Sequence, residues 1–154
     1  MASAPSHRQR SSSPRVRDER FAVGGRLRQP RIVVADSNGR TPASARIYAS
    51  EGGVQLERSE MGRVDLKALL HRLGAQEVND LLVEAGPTLS GAFVAQQLWD
   101  ELVLYLAPKF LGRDARPLAD LSLERLADAY QSRVVGCELV GEDVRLTLER
   151  HQDG

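Results

Sequence analysis

The sequence predicts a single α/β domain built on a mixed sheet, and three observations carry that expectation. Compact apolar runs at RIVVAD (31–36), DLLVE (80–84) and ELVLYLAP (101–108) read as strands buried on both faces, as in sheets covered by helices. Between them lie helical patterns, with Leu66, Leu69, Leu70 and Leu73 on one face and a second helix opening at Pro87. The end of the chain then changes period. Val144, Leu146 and Leu148 alternate with Asp143, Arg145, Thr147 and Glu149, which gives a strand with one wet face.

Each element has a local reason. RIVVAD is closed by Ser37-Asn38-Gly39, a turn signal. Residues 46–58 hold two short strand-like pieces, RIYA and VQLER, separated by Glu51-Gly52-Gly53. The leucine helix has Asp65 at the N-cap position and Gly74 as its C-terminal stop. Pro87 suits the first helical position, where its missing N–H costs nothing, and that helix is expected to reach about Leu98. Gly91 leaves room for close packing of this helix against the sheet. A short helix is expected from Ser122 to Asp128. RVVGCELV and DVRLTLE then flank Gly141-Glu142, and glycine at the first central position suits a type II′ hairpin.

Composition bounds the function classes. At 154 residues, with 42% hydrophobic and 27% charged residues, the chain fits one soluble globular domain. No stretch approaches the roughly 20 apolar residues that span a bilayer, and the N-terminus has no apolar core of a secretory signal. One cysteine, Cys137, excludes an internal disulfide and a Cys-x-x-Cys zinc site, and suits a reducing cytoplasm. It reads as a small core residue. Net charge is zero but uneven: residues 1–30 carry seven arginines against Asp18 and Glu19, a net of +5, and the remainder carries −5. Residues 1–16 read as a solvated basic leader and 17–150 as the domain. With no aromatic residue among the arginines of residues 1–20, a nucleic-acid platform is not expected.

The chemistry concentrates in VEAGPTLSGAF (83–93). A strand ending at Glu84 feeds a glycine turn and a helix N-terminus, at the end of the sheet where open α/β folds bind ligands. The first turn of such a helix offers unpaired N–H groups and the positive end of its dipole to a phosphate. Gly86 lets backbone approach the anion, Thr88 and Ser90 add hydroxyls, and Glu84 stands beside the pocket to accept from a hydroxyl or amino group. A plain structural turn would use the same residues, so the spacing alone leaves both readings open. Lys109, Arg113 and Arg116 in KFLGRDARP offer a second phosphate locus, or a solvated loop. Neither a G-x-S-x-G nor a His-Glu-x-x-His pattern occurs, so no catalytic nucleophile and no metal site are expected.

NDLLVEAGPTLSGAF followed by LWDELVLYLAPKFLGRDARPL resembles the reductase half of the bifunctional riboflavin-biosynthesis deaminase–reductase, as does RQPRIVVADSNGRTP. The resemblance spans about Arg17 to Glu149 and implies a dihydrofolate reductase-like mixed sheet flanked by helices. It implies NADPH as cofactor and a pyrimidine ribosyl phosphate substrate, 5-amino-6-(5-phosphoribosylamino)uracil, whose ribosyl group becomes ribityl. Residue by residue, Glu84 and Arg17 would contact substrate. Ser37, Gly86, Pro87, Thr88, Leu89, Ser90, Gly91 and Ala92 would line the cofactor. No protein nucleophile is implied, because orientation of two bound partners suffices.

The sequence departs from the family pattern in four respects. The family's zinc-deaminase half is missing. Ser-Leu-Asp-Gly is absent, and SSSPRVR stands where an Asp-Asp-Pro run belongs. The segment 46–60 is short. The expectation is a domain truncated at its N-terminus, cytoplasmic and homo-oligomeric. Its function is either that reduction or that of an inactive fragment keeping the oligomerising core and part of the nucleotide-binding loop.

Overall fold

A computed structural model of the chain describes residues 17, 19–59 and 62–151. The chain divides into two compact units, Met1–Asp65 and Leu66–Gly154. The expected leader, residues 1–16, lies outside the described residues.

In the first unit, β1 (Ala22–Val23) and β2 (Arg26–Leu27) form a hairpin. Its central residues, Gly24 and Gly25, both have positive φ (59° and 75°), the conformation of a type I′ turn. The two strands that matter for the site follow. β3 (Ile32–Ala35) and β4 (Val54–Glu57) run parallel, with Ile32 opposite Val54 and Ala35 opposite Glu57. A parallel pair needs a crossover, and residues 36–53 supply it. RIYA, read from sequence as a strand, is instead a 3₁₀ turn at Arg46–Ala49 within that crossover. The turn closes locally, Tyr48 N–H onto Ala45 O at 3.1 Å and Ser50 N–H onto Ile47 O at 3.1 Å, in place of a strand's ladder. The crossover then rejoins β4 at Gly52, where a Cβ would stand 2.0 Å from the Pro30 carbonyl oxygen. Only glycine fits there.

The second unit opens with α1 (Leu66–Ala75), where Leu66, Leu69 and Leu73 are buried as the leucine spacing requires. Gly74 is inside the last turn rather than beyond it. The left-handed residue is Glu77 (φ 60°), with Val78 N–H bonded to Leu73 O and Glu77 N–H to Gly74 O. That is the Schellman pattern. α2 (Pro87–Ala95) ends in the same way, with Gln97 at φ 54° and Leu98 N–H bonded to Phe93 O. The helix therefore stops earlier than Leu98, although Leu98 takes part in its closure.

Between the helices, DLLVE is not a strand. Residues 78–86 carry no regular structure, and Leu81, Leu82 and Val83 are 43%, 78% and 40% exposed. A strand is defined by a hydrogen-bonded partner, and no ladder among the described residues includes these positions. Apolarity alone does not supply one.

The chain finishes in an antiparallel sheet of β5 (Glu101–Leu106), β6 (Ser132–Val140) and β7 (Asp143–Arg150), in the order β5–β7–β6. The register sets Leu102 against Leu148 and Leu104 against Leu146 on one face. On the other, ion pairs join Arg145 to Glu138 at 2.9 Å and Arg133 to Glu149 at 2.6 Å. The period-two reading of the C-terminal strand is thus realised, and Gly141 (φ 65°) makes the two-residue turn. Two expectations change. β5 shows Val103 and Tyr105 to solvent, so it is not buried on both faces. Cys137 is exposed rather than in the core, because β6 is an outer strand of the sheet. The helix expected at 122–128 contracts to a 3₁₀ turn, Leu126–Asp128, clipped by an Arg125–Asp128 ion pair at 3.0 Å. The strands are shared among small separate sheets in a mixed α/β chain with few helices, instead of one continuous mixed sheet.

Candidate functional site

The helix start at Pro87 belongs to the second unit and is described first. Gly86 is the N-cap residue at φ −79°, ψ 176°, and no side chain caps the helix. Pro87 has no N–H, so the amides of Thr88 and Leu89 are the first-turn donors that precede any i→i−4 partner. Ser90 N–H is the first to be satisfied within the helix, bonding Gly86 O at 3.0 Å. Thr88 is exposed and Glu84 lies exposed just before the turn. A short anionic ligand therefore meets two amides, one free hydroxyl and the positive helix end.

Two glycines here have different causes. Gly86 has an extended backbone that any residue adopts, and a Cβ there would meet nothing within 4 Å. Neither strain nor packing in the chain requires glycine at this point, where it serves as an ordinary N-cap residue with a bare, accessible backbone. Gly91 is the reverse case. It is buried, and a Cβ would lie 2.3 Å from the Asp120 carbonyl oxygen. The close packing inferred from sequence is real, but its partner is the backbone at Asp120, whose N–H also bonds Pro87 O at 2.9 Å. Ser90 Oγ donates to Ala85 O at 3.4 Å and so braces the turn. Leu89 and Ala92 are half-buried.

The other predicted residues belong to the first unit. Arg17 is exposed there. Ser37 follows β3 directly, at the carboxyl end of the parallel pair, and its Oγ accepts the Val64 N–H at 3.1 Å. Asp36, to which sequence reasoning gave no role, is the buried acid of this loop at 6% exposure. One carboxylate oxygen accepts Arg40 N–H and the other Thr41 N–H, both at 2.8 Å. The Thr41 and Arg40 amides, the Thr41 hydroxyl and the nearby Arg58 guanidinium hold this carboxyl below its ordinary 3.8, against the opposing effect of burial. The signal in the sequence was an acid closing an apolar strand immediately before Ser-Asn-Gly.

The sign of the resulting pH dependence is fixed. A carboxyl depressed on folding contributes stability that is complete above its unfolded value and is lost as pH falls through the lower folded one. Thermal unfolding of wild type and Asp36→Asn should therefore differ most above about pH 5 and converge below 3.8. A difference that stays constant to pH 2.5 or so would show that the Asp36 charge is irrelevant to folding.

Among the described residues, no group of three or more His, Cys, Asp or Glu side chains gathers to hold a metal, and no helix is long and apolar enough to cross a membrane. Lys109, Arg113 and Arg116 lie in an exposed irregular segment. A cleft that sequence reasoning did not single out, lined by Trp99, Tyr130, Arg150 and His151, sits at the far end of α2 from Pro87.

The chain is similar to known proteins. The family model described as RibD C-terminal domain matches residues 1–146. The chain is 40% identical over 141 residues to the riboflavin biosynthesis protein RibD of Escherichia coli (strain K12), covering 79% of this chain and 38% of that protein. It is 30% identical to the 5-amino-6-(5-phosphoribosylamino)uracil reductase of Buchnera aphidicola subsp. Acyrthosiphon pisum (strain APS), over 79% of this chain and 68% of that one. Among solved structures, Acinetobacter baumannii RibD, form 2, superposes with a TM-score of 0.78 at 30% identity, over 89% of this chain and 42% of that chain. The chain thus spans about two fifths of the RibD proteins it matches. The uncapped helix start at Gly86-Pro87 and the braced loop after β3 lie within the matched residues, and the chain belongs to the RibD C-terminal domain family.

Proposed function

We propose that the chain binds NADPH and reduces the ribosyl group of 5-amino-6-(5-phosphoribosylamino)uracil to the ribityl form, within a dihydrofolate reductase-like fold. The observation that carries this reading is the start of α2: an uncapped nine-residue helix whose N-cap glycine no packing contact requires. The donor set fits a dinucleotide phosphate. Thr88 and Leu89 amides with the Thr88 hydroxyl would hold it, and Ser37 Oγ, its lone pair engaged by Val64, retains a proton to donate to the cofactor. When bound, the cofactor supplies hydride to C1′ of the opened sugar. The chain's own work is orientation: Glu84 accepts from substrate hydroxyl or amino groups, and Arg17 pairs with the substrate phosphate. The relatives' names support the substrate class, since the Buchnera protein is named for this reduction. We read the protein as a cytoplasmic homo-oligomer.

A second reading has its own observation. Leu81–Val83, leading into Glu84, are exposed and joined to no ladder, so the substrate side is held less firmly than the helix. A fragment with an oligomerising core would then bind the nucleotide without turnover. Incubation with NADPH and the ribosylaminouracil phosphate separates the two. The expected result is loss of absorbance at the reduced nicotinamide band with equimolar ribityl product. Binding without consumption selects the second reading, and no binding of either ligand sinks both.

A further inference from the structure

Asp36 has a position that the binding residues do not explain. It immediately follows β3, its own N–H is tied to Glu57 O of the parallel neighbour at 2.9 Å, and its carboxylate is buried. Both carboxylate oxygens are consumed by amides four and five residues further on. Gly39 N–H returns to the Asp36 carbonyl at 3.2 Å, and Gly39 itself is left-handed at φ 62°. Residues 36–41 are thus a closed ring, fastened to β4 at one point and drawn around a single side chain. Ser37 rides on that ring, and its hydroxyl is aimed by one further bond, from Val64 N–H.

The side-chain chemistry is selective. Each of the two N–H donors meets its own oxygen here, an arrangement that a carboxylate supplies and no neutral side chain of the same size matches. An asparagine would set its NH₂ against one of the amides, leaving a buried donor unpaired. A serine would reach only one. The arrangement also sits at the carboxyl end of the parallel pair, where ligands of open α/β sheets bind.

We infer that Asp36 is a positioning residue for the nucleotide: it fixes the 37–41 loop so that the Ser37 hydroxyl proton is presented to the cofactor. The inference rests on the proposed binding of NADPH and adds the group that prepares Ser37 for it. Asp36 itself touches no ligand. Its contribution therefore passes through Ser37, and that makes it separable from a general structural role.

The test compares wild type, Asp36→Asn, Ser37→Ala and the double variant, by calorimetry with NADPH and by amide hydrogen exchange across residues 37–41. Asp36→Asn should raise exchange at Arg40 and Thr41 and weaken NADPH binding about fivefold, the worth of one hydrogen bond. Ser37→Ala should weaken it by a similar factor without altering exchange at Arg40 and Thr41. The double variant should bind no worse than either single one. Multiplied losses would overturn the inference, because Asp36 would then act on the protein at large. So would Asp36→Asn binding within twofold of wild type while Ser37→Ala is impaired, an outcome that leaves the NADPH reading intact. Absence of NADPH binding by wild type would overturn both. If Asp36→Asn fails to fold, Asp36→Ser, which keeps one acceptor, is read by the same comparisons.

Discussion

Gly91→Ala is expected to destabilise the protein by about 1–2 kcal/mol, because forcing atoms into a packed interior costs up to about 3 kcal/mol. Alanine improves helix propensity by roughly 1 kcal/mol, so the expected loss is what remains after that gain. The source is steric and local. A Cβ at position 91 would lie 2.3 Å from Asp120 O and 2.9 Å from Asp120 N and C, all backbone atoms that cannot rotate aside. Relief requires the 120 segment to withdraw, which breaks the Asp120 N–H to Pro87 O bond at the first turn of α2. Gly74→Ala provides the opposite sign from the same substitution. Gly74 is also helical, but a Cβ there meets nothing within 4 Å, so only the propensity gain of about 1 kcal/mol remains. Denaturant midpoints of the two variants decide the matter. If both shift in the same direction, the close approach of Asp120 to α2 is wrong. Asp120→Ala should be nearly silent, since the side chain takes no part.

The contrast between these glycines also marks how far the sequence could be read. Periodicity located α1, because four leucines at helical spacing leave one face to bury and three of the four are buried. It located β7, whose alternation is realised as one apolar and one ion-paired face. Pro87 located α2 through a covalent property of its ring. What failed were readings that depend on a partner elsewhere in the chain. DLLVE has the composition of a buried strand, yet strand formation needs a neighbour's N–H and C=O groups, and composition does not name the neighbour. RIYA closes its amides three residues back instead of across a ladder. Cys137 is on the apolar side of its strand, opposite Leu146, but β6 is an outer strand and the side chain is exposed. The helix start on which the candidate site is proposed was legible because it is contiguous, Pro87 opening α2 as expected. Asp36 was not legible, since its importance comes from amides at positions 40 and 41 that fold back onto it.

Thr88→Asp should weaken NADPH binding by at least about tenfold, corresponding to roughly 1.4 kcal/mol. Position 88 is exposed in the first turn of an uncapped helix, where the cofactor phosphates are proposed to sit. A carboxylate some 4–5 Å from a phosphate repels it by about 1 kcal/mol in bulk water, and by more where the ligand displaces water. Loss of the hydroxyl donor adds to this. The same aspartate is favourable for the free protein, because a negative charge in the first turn opposes the helix dipole by a few tenths of a kcal/mol or more. Weaker binding should therefore accompany an unchanged or slightly raised melting temperature, which excludes unfolding as its cause. Glu84→Gln should leave NADPH affinity within about twofold, since that carboxylate is assigned to the substrate side. Its effect should appear instead in the KM for the ribosylaminouracil phosphate, by the loss of a charge-assisted bond worth about 1.5–3 kcal/mol. Calorimetry with NADPH on the three proteins, followed by steady-state kinetics, checks both halves. Equal loss of NADPH binding in both variants would mean that Glu84 and Thr88 face one ligand, and the division of the turn into substrate and cofactor sides would have to be abandoned.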